Sequence, residues 1–85
     1  MKFLEIINSI QEGFSIGTYK GEKYSILKNT FNAGKSFKIF AKSLSGNDYI
    51  SLNYYVTSTK EWLKPCEMPE QKVVDFLMNV QYQNE

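Results

Sequence analysis

Eighty-five residues leave room for one hydrophobic core, because a chain of this size buries only about 60–65% of its unfolded surface and two cores would starve each other. Ten lysines against nine carboxylates give a formal charge of +1, which excludes a global field that draws in nucleic acid or an anionic membrane; any electrostatic site must be local. Every cation is a lysine and there is no histidine, so the planar fork that grips phosphate and the usual proton carrier near neutral pH are both missing, which counts against most hydrolase, phosphoryl-transfer and metal chemistry.

Six Phe, six Tyr and one Trp are many for a disordered chain and support a folded core. The single cysteine, Cys66, allows no internal disulfide, so a reducing, cytoplasmic setting of the bacterial type is expected. The start, Met1 to Ile10, superficially resembles a signal segment, but Glu5, Asn8 and Ser9 break its apolar run and no small-residue cleavage site follows. No stretch approaches the roughly 20 apolar residues needed to span a bilayer. A soluble chain with no membrane partner is the expectation.

In chain order, Phe3, Ile6, Ile7 and Ile10 recur at helical spacing ahead of Gly13, which predicts a short amphipathic helix over residues 2–12. Strands are predicted at Phe14–Tyr19, Lys23–Phe31, Ser36–Leu44 and Tyr49–Thr57, with a short fifth near Trp62–Lys64. The connections Lys20-Gly21-Glu22, Asn32-Ala33-Gly34, Ser45-Gly46-Asn47-Asp48 and Ser58-Thr59-Lys60 are short and rich in turn residues, so neighbouring strands run antiparallel. After Pro65 and Pro69 the period returns to helical, with Val73, Phe76, Leu77 and Val80 on one stripe. Pro69 suits the first turn and Glu70 the positive end of the dipole. The polar end, Gln81 to Glu85, is expected to fray.

One α+β domain over residues 1–85 follows: a helix, an antiparallel meander of four or five strands, and a second helix, with both helices on one sheet face. A meander curled into an SH3-like barrel is the structural alternative.

Strand alternation leaves a second face to explain. In Phe37 to Lys42 the odd positions are apolar, while Lys38, Phe40 and Lys42 share the other side; between Tyr49 and Val56 the other side holds Tyr49, Ser51, Asn53 and Tyr55. With Tyr19 and Lys28 added, the candidate binding residues are Tyr19, Lys28, Lys38, Phe40, Lys42, Tyr49, Asn53 and Tyr55. Exposed rings can stack bases while lysines offset phosphate charge, although the glycine-aromatic signature and strand order of RNA-recognition motifs are absent. Ordinary solvent-facing Tyr and Lys pairs, cover by the C-terminal helix, or packing of two copies would place rings there equally well.

The other candidate is Cys66, in the stiff connector Trp62-Leu63-Lys64-Pro65-Cys66-Glu67-Met68-Pro69. Lys64 could favour its thiolate, but a nucleophilic cysteine normally needs a base such as histidine, and a lone intracellular cysteine is more often a small hydrophobe. Dispersed carboxylates and one thiol make a poor metal-ligand set, and no glycine-rich phosphate loop exists. No metal or cofactor is expected. The expected function is a small non-enzymatic binding module for a protein partner or a second copy of itself, since Tyr and Phe are favoured at interfaces. Binding of single-stranded nucleic acid and thiol-dependent redox chemistry at Cys66 are the alternatives.

Overall fold

In the computed structural model, which describes residues 2–82, the chain runs α1 (Leu4–Ser9), β1 (Gly13–Tyr19), β2 (Glu22–Phe31), β3 (Ser36–Ser43), β4 (Tyr49–Val56), β5 (Glu61–Pro65), α2 (Glu70–Asn79) and β6 (Gln81–Tyr82). The architecture is α+β, with one open antiparallel sheet in the order β5-β4-β3-β2-β1-β6. The sheet has six strands rather than four or five, and its edges β5 and β6 do not meet, so it is not a closed barrel.

Turn chemistry sets the hairpins. Lys20 and Gly21 both take positive φ, 51° and 76°, the twist of a two-residue type I′ turn, and Tyr19 pairs with Glu22 across it. Asn32, Ala33 and Gly34 also take positive φ and carry β2 into β3. Because both turns are tight, the register runs without slippage through β1, β2 and β3, and directly paired residues share a face.

The two helices cover a single face. Ile26, Ile39, Ala41, Ile50, Leu52 and Tyr54 lie on it fully buried, with Phe37 and Tyr24 beside them. Above them α2 inserts Val73, Phe76 and Leu77. Burial of these three is worth roughly 5–8 kcal/mol of transfer free energy before conformational entropy is subtracted. Phe76 meets Tyr19 and Tyr24 edge-on, with ring centroids at 5.0 and 5.7 Å, a favourable aromatic geometry.

Helix α1 has only six residues, too few to be stable alone. It is shorter than its apolar spacing predicts: the chain leaves it at Ile10, which is extended, and Gly13 is not its terminator but the first residue of β1. Side chains from the sheet hold both ends. The Glu61 carboxylate accepts the backbone N–H groups of Lys2 and Phe3 at 2.8 and 3.0 Å, and the Lys28 ammonium donates to the carbonyl oxygens of Ile7 and Ile10 at 2.8 and 3.0 Å. An anion at the N-terminus and a cation at the C-terminus match the helix dipole.

At the other end of the chain Pro69 is the extended residue before α2, and Val80 lies beyond the helix in an extended conformation. Gln81 and Tyr82 do not fray: they pair with Thr18 and Gly17 on the outer edge of β1. Residues 83–85 of the expected frayed end lie outside the described residues. Among the described residues no helix is long and apolar enough to cross a membrane.

Candidate functional site

The face turned away from the helices is assembled by strand register. One row runs Phe14, Leu27, Phe40, Ser51 across β1 to β4; on one side of it lies the row Ile16, Ser25, Lys42, Tyr49. On its other side, Asn29, Lys38, Asn53 and Lys64 run from β2 to β5, followed by Phe31, Ser36, Tyr55 and Trp62. The pattern reflects strand period: side chains two residues apart share a face.

Among the described residues nine large hydrophobic side chains are exposed, and seven of them, Phe14, Leu27, Phe31, Phe40, Tyr49, Tyr55 and Trp62, occupy strand positions on this face. Phe40 and Tyr49 stack with centroids 6.0 Å apart and planes inclined by 30°. Such a concentration on one side differs from the single scattered apolar residues of an ordinary surface.

Charge is segregated as well. Lys38, Lys42 and Lys64 are exposed within these rows, and Lys23, paired with Thr18, joins them at the end of β2. Among the described residues no strand position on this face holds a carboxylate. Glu12, just before β1, is held by the Thr30 backbone N–H at 3.0 Å and by the Thr30 hydroxyl; the hydroxyl bond keeps its carboxyl below the ordinary value.

Six of the eight candidate residues therefore sit together: Lys38, Phe40, Lys42, Tyr49, Asn53 and Tyr55. The other two are corrected by the register. Tyr19 and Lys28 lie on the helix-covered side, 5% exposed each. Lys28 follows Tyr24 and Ile26 at spacing two, and its long stem carries the ammonium to the end of α1 and over the Phe37 ring, 5.3 Å from the centroid. Burial pushes that ammonium below the usual lysine value. Tyr19 packs on Phe76 and donates its hydroxyl to Asp75. Phe14, Ile16, Leu27 and Trp62 are members of the open face that alternation alone had left unassigned. The signal for β1 and β2 was present in the Lys20-Gly21 turn, which links their parity.

Cys66 is half-buried at the end of the Ser51 row, where its backbone N–H donates to the Ser51 carbonyl at 2.9 Å. Its Sγ lies 3.5 Å from the Asn53 side-chain nitrogen, an uncharged donor. Among the described residues no group of three or more Cys, Asp or Glu side chains could hold a metal ion.

A separate cavity of about 510 Å³ opens beside α2, lined by Tyr19, Lys20, Asp48, Gln71, Lys72 and Asp75 among others. Its charged groups are joined to one another. Lys72 Nζ lies 2.6 Å from Asp48, Tyr24 donates to the same carboxylate at 2.9 Å, and Lys20 approaches Asp75 at 3.8 Å. Hydrogen bonding by Lys72 holds Asp48 below the usual carboxylate value, against the effect of burial. Burial, then the bond to Asp48, pushes Tyr24 up to about 12. Both shifts move away from neutrality, whereas a general acid or base works best with a pKa near the operating pH. Of the two surfaces, it is the open sheet face whose lysines make no ion pair among the described residues. No protein-family model, no curated protein and no solved structure matches this chain.

Proposed function

We propose that this chain is a small cytoplasmic binding module, without catalytic chemistry of its own, that docks a macromolecular partner on the open sheet face. The observation that carries this reading is that, among the described residues, seven of the nine exposed large hydrophobic side chains occupy strand positions on the sheet face that α1 and α2 leave bare. Rings interleaved with polar and cationic groups resemble the centre of a recognition surface, where aromatic residues are enriched. A second copy is the weaker occupant, because an isologous contact sets the same face on itself and would bring lysine-bearing surfaces together with no carboxylate between them.

The test is capture from a cell extract on immobilised protein, comparing the native chain with the double variant Phe40→Ala, Tyr55→Ala. Both side chains are about 39% exposed, so circular dichroism and the melting curve should change little. Captured material is expected to be lost. Identical capture by a folded variant would remove this face as the binding surface.

A further inference from the structure

The geometry points to a single-stranded nucleic acid as the occupant of the open face, an inference that rests on the binding-module reading above and names its ligand class. Charge complementarity is the first argument. The chain is nearly neutral overall, yet the open-face strand positions carry Lys23, Lys38, Lys42 and Lys64 and, among the described residues, no carboxylate. Composition does not explain that segregation; the fold places the carboxylates of Glu22, Asp48, Glu61 and Asp75 in contacts on the helix-covered side or its rim.

Protein interfaces enrich aromatic residues but deplete lysine. A protein ligand accounts for the rings and leaves four ammonium groups to be desolvated. A single strand uses both, because bases stack on rings while phosphates meet lysines. Phe40 occupies the centre with Lys38 and Lys42 two residues to either side on the same strand, about 7 Å away along it. Tyr49, stacked on Phe40, is paired with Lys42. A base resting on either ring therefore leaves its phosphate beside a lysine. The surface is a pleated sheet with no protruding helix or wedge to enter a duplex groove, so unpaired bases are the form that can reach the rings. Stacking is tolerant of base identity, and weak sequence preference follows.

The experiment is fluorescence anisotropy with labelled oligothymidine and oligouridine of about 12 nucleotides, within the usual site size for such surfaces. A duplex of the same length and a poly-glutamate peptide serve as competitors, all over a salt series. Single strands should bind, with log K falling against log salt at a slope of about −3 if all four lysines engage phosphates. Lys38→Gln with Lys42→Gln should halve that slope. Phe40→Ala should weaken binding roughly ten- to hundredfold and leave the slope unchanged.

Absence of oligonucleotide binding at low salt overturns the inference. So does equal binding of duplex or poly-glutamate with no effect of Phe40→Ala, which would mark a charge-only surface. Failure here combined with extract capture that still depends on Phe40 and Tyr55 leaves the binding face intact with a protein as its occupant. Failure of both removes the binding-module reading itself.

Discussion

The Lys28 ammonium lies 2.8 Å from the carbonyl oxygen of Ile7 and 3.0 Å from that of Ile10, so a strand residue closes the C-terminal end of a helix formed earlier in the chain. Replacement by methionine keeps the apolar stem but strands two carbonyl groups. Lys28→Met should lower stability by about 2–4 kcal/mol, a large share of the roughly 5–10 kcal/mol expected for a domain of this size. Urea denaturation reads the loss, and amide exchange should show α1 opening before the sheet. An unchanged midpoint would mean that these two bonds contribute nothing net.

Acid should weaken the fold through Asp48. Its folded pKa lies below the ordinary value of 3.8, so its contribution is present in full above that value and is lost as pH falls through the folded pKa. The ion pair with Lys72 is partly exposed, 36% and 43% for the two side chains, and is therefore worth only about 0.5–1 kcal/mol. Lys72→Met should cost that much at pH 7 and almost nothing at pH 2, as read by melting temperature at the two pH values. An equal cost at both would assign the effect to packing of the lysine stem.

Alkali should act through the phenols. Burial pushes both Tyr24 and Tyr82 up to about 12, with the bond to Asp48 adding to the shift at Tyr24, while an unfolded tyrosine ionises near 10. Stability from these groups is complete below pH 10 and falls as pH rises toward 12, because the unfolded chain releases its protons first. Lys28 has the opposite sign: its folded value is depressed, so its titration favours the fold as pH rises toward 10.5. Unfolding midpoints between pH 9 and 11.5 should therefore decline more steeply in Lys28→Met than in the native chain. Parallel curves would show that Lys28 does not titrate in this range.

Gly17 marks where the last strand docks. A Cβ there would sit 2.9 Å from Ile26 Cδ1, 3.1 Å from Val80 Cγ2 and 3.2 Å from the Gln81 carbonyl oxygen. Gly17→Ala should cost about 1–3 kcal/mol through overpacking, and amide exchange should show β6 released from β1. Retention of the Thr18–Gln81 pairing with unaltered stability would mean that the neighbours move aside freely.

Much of the sheet was legible in local chemistry. Strands β1 to β5 fall within a residue or two of their expected ends, because alternation and turn residues such as Lys20-Gly21 act over a few positions. The face holding Lys38, Phe40, Lys42, Tyr49, Asn53 and Tyr55 was legible for the same reason. Lys28 was not, since a lysine can lie on either side of a strand: its stem packs against apolar neighbours and its ammonium needs only two acceptors at the right distance. Tyr19 is similarly ambiguous, with a ring suited to a core and a hydroxyl able to find Asp75 at its rim. Strand β6 has two residues, too few for any period to register.

The sequence by itself determined that the chain makes two-faced antiparallel strands flanked by helical segments, because side-chain period and turn conformation are local properties. It labelled the faces of β3 and β4 but not those of β1 and β2, where Tyr19 and Lys28 fall on the helix-covered side. The tertiary structure decided the side that Tyr19 and Lys28 take, since that depends on Phe76 of α2 meeting the Tyr19 ring and on the end of α1 offering two carbonyl groups to Lys28. It also decided that four lysines from three strands and the aromatic rings share one surface. Residues far apart in the chain come together only when the register of every hairpin is set at once, and that is a property of the packed sheet rather than of any single segment.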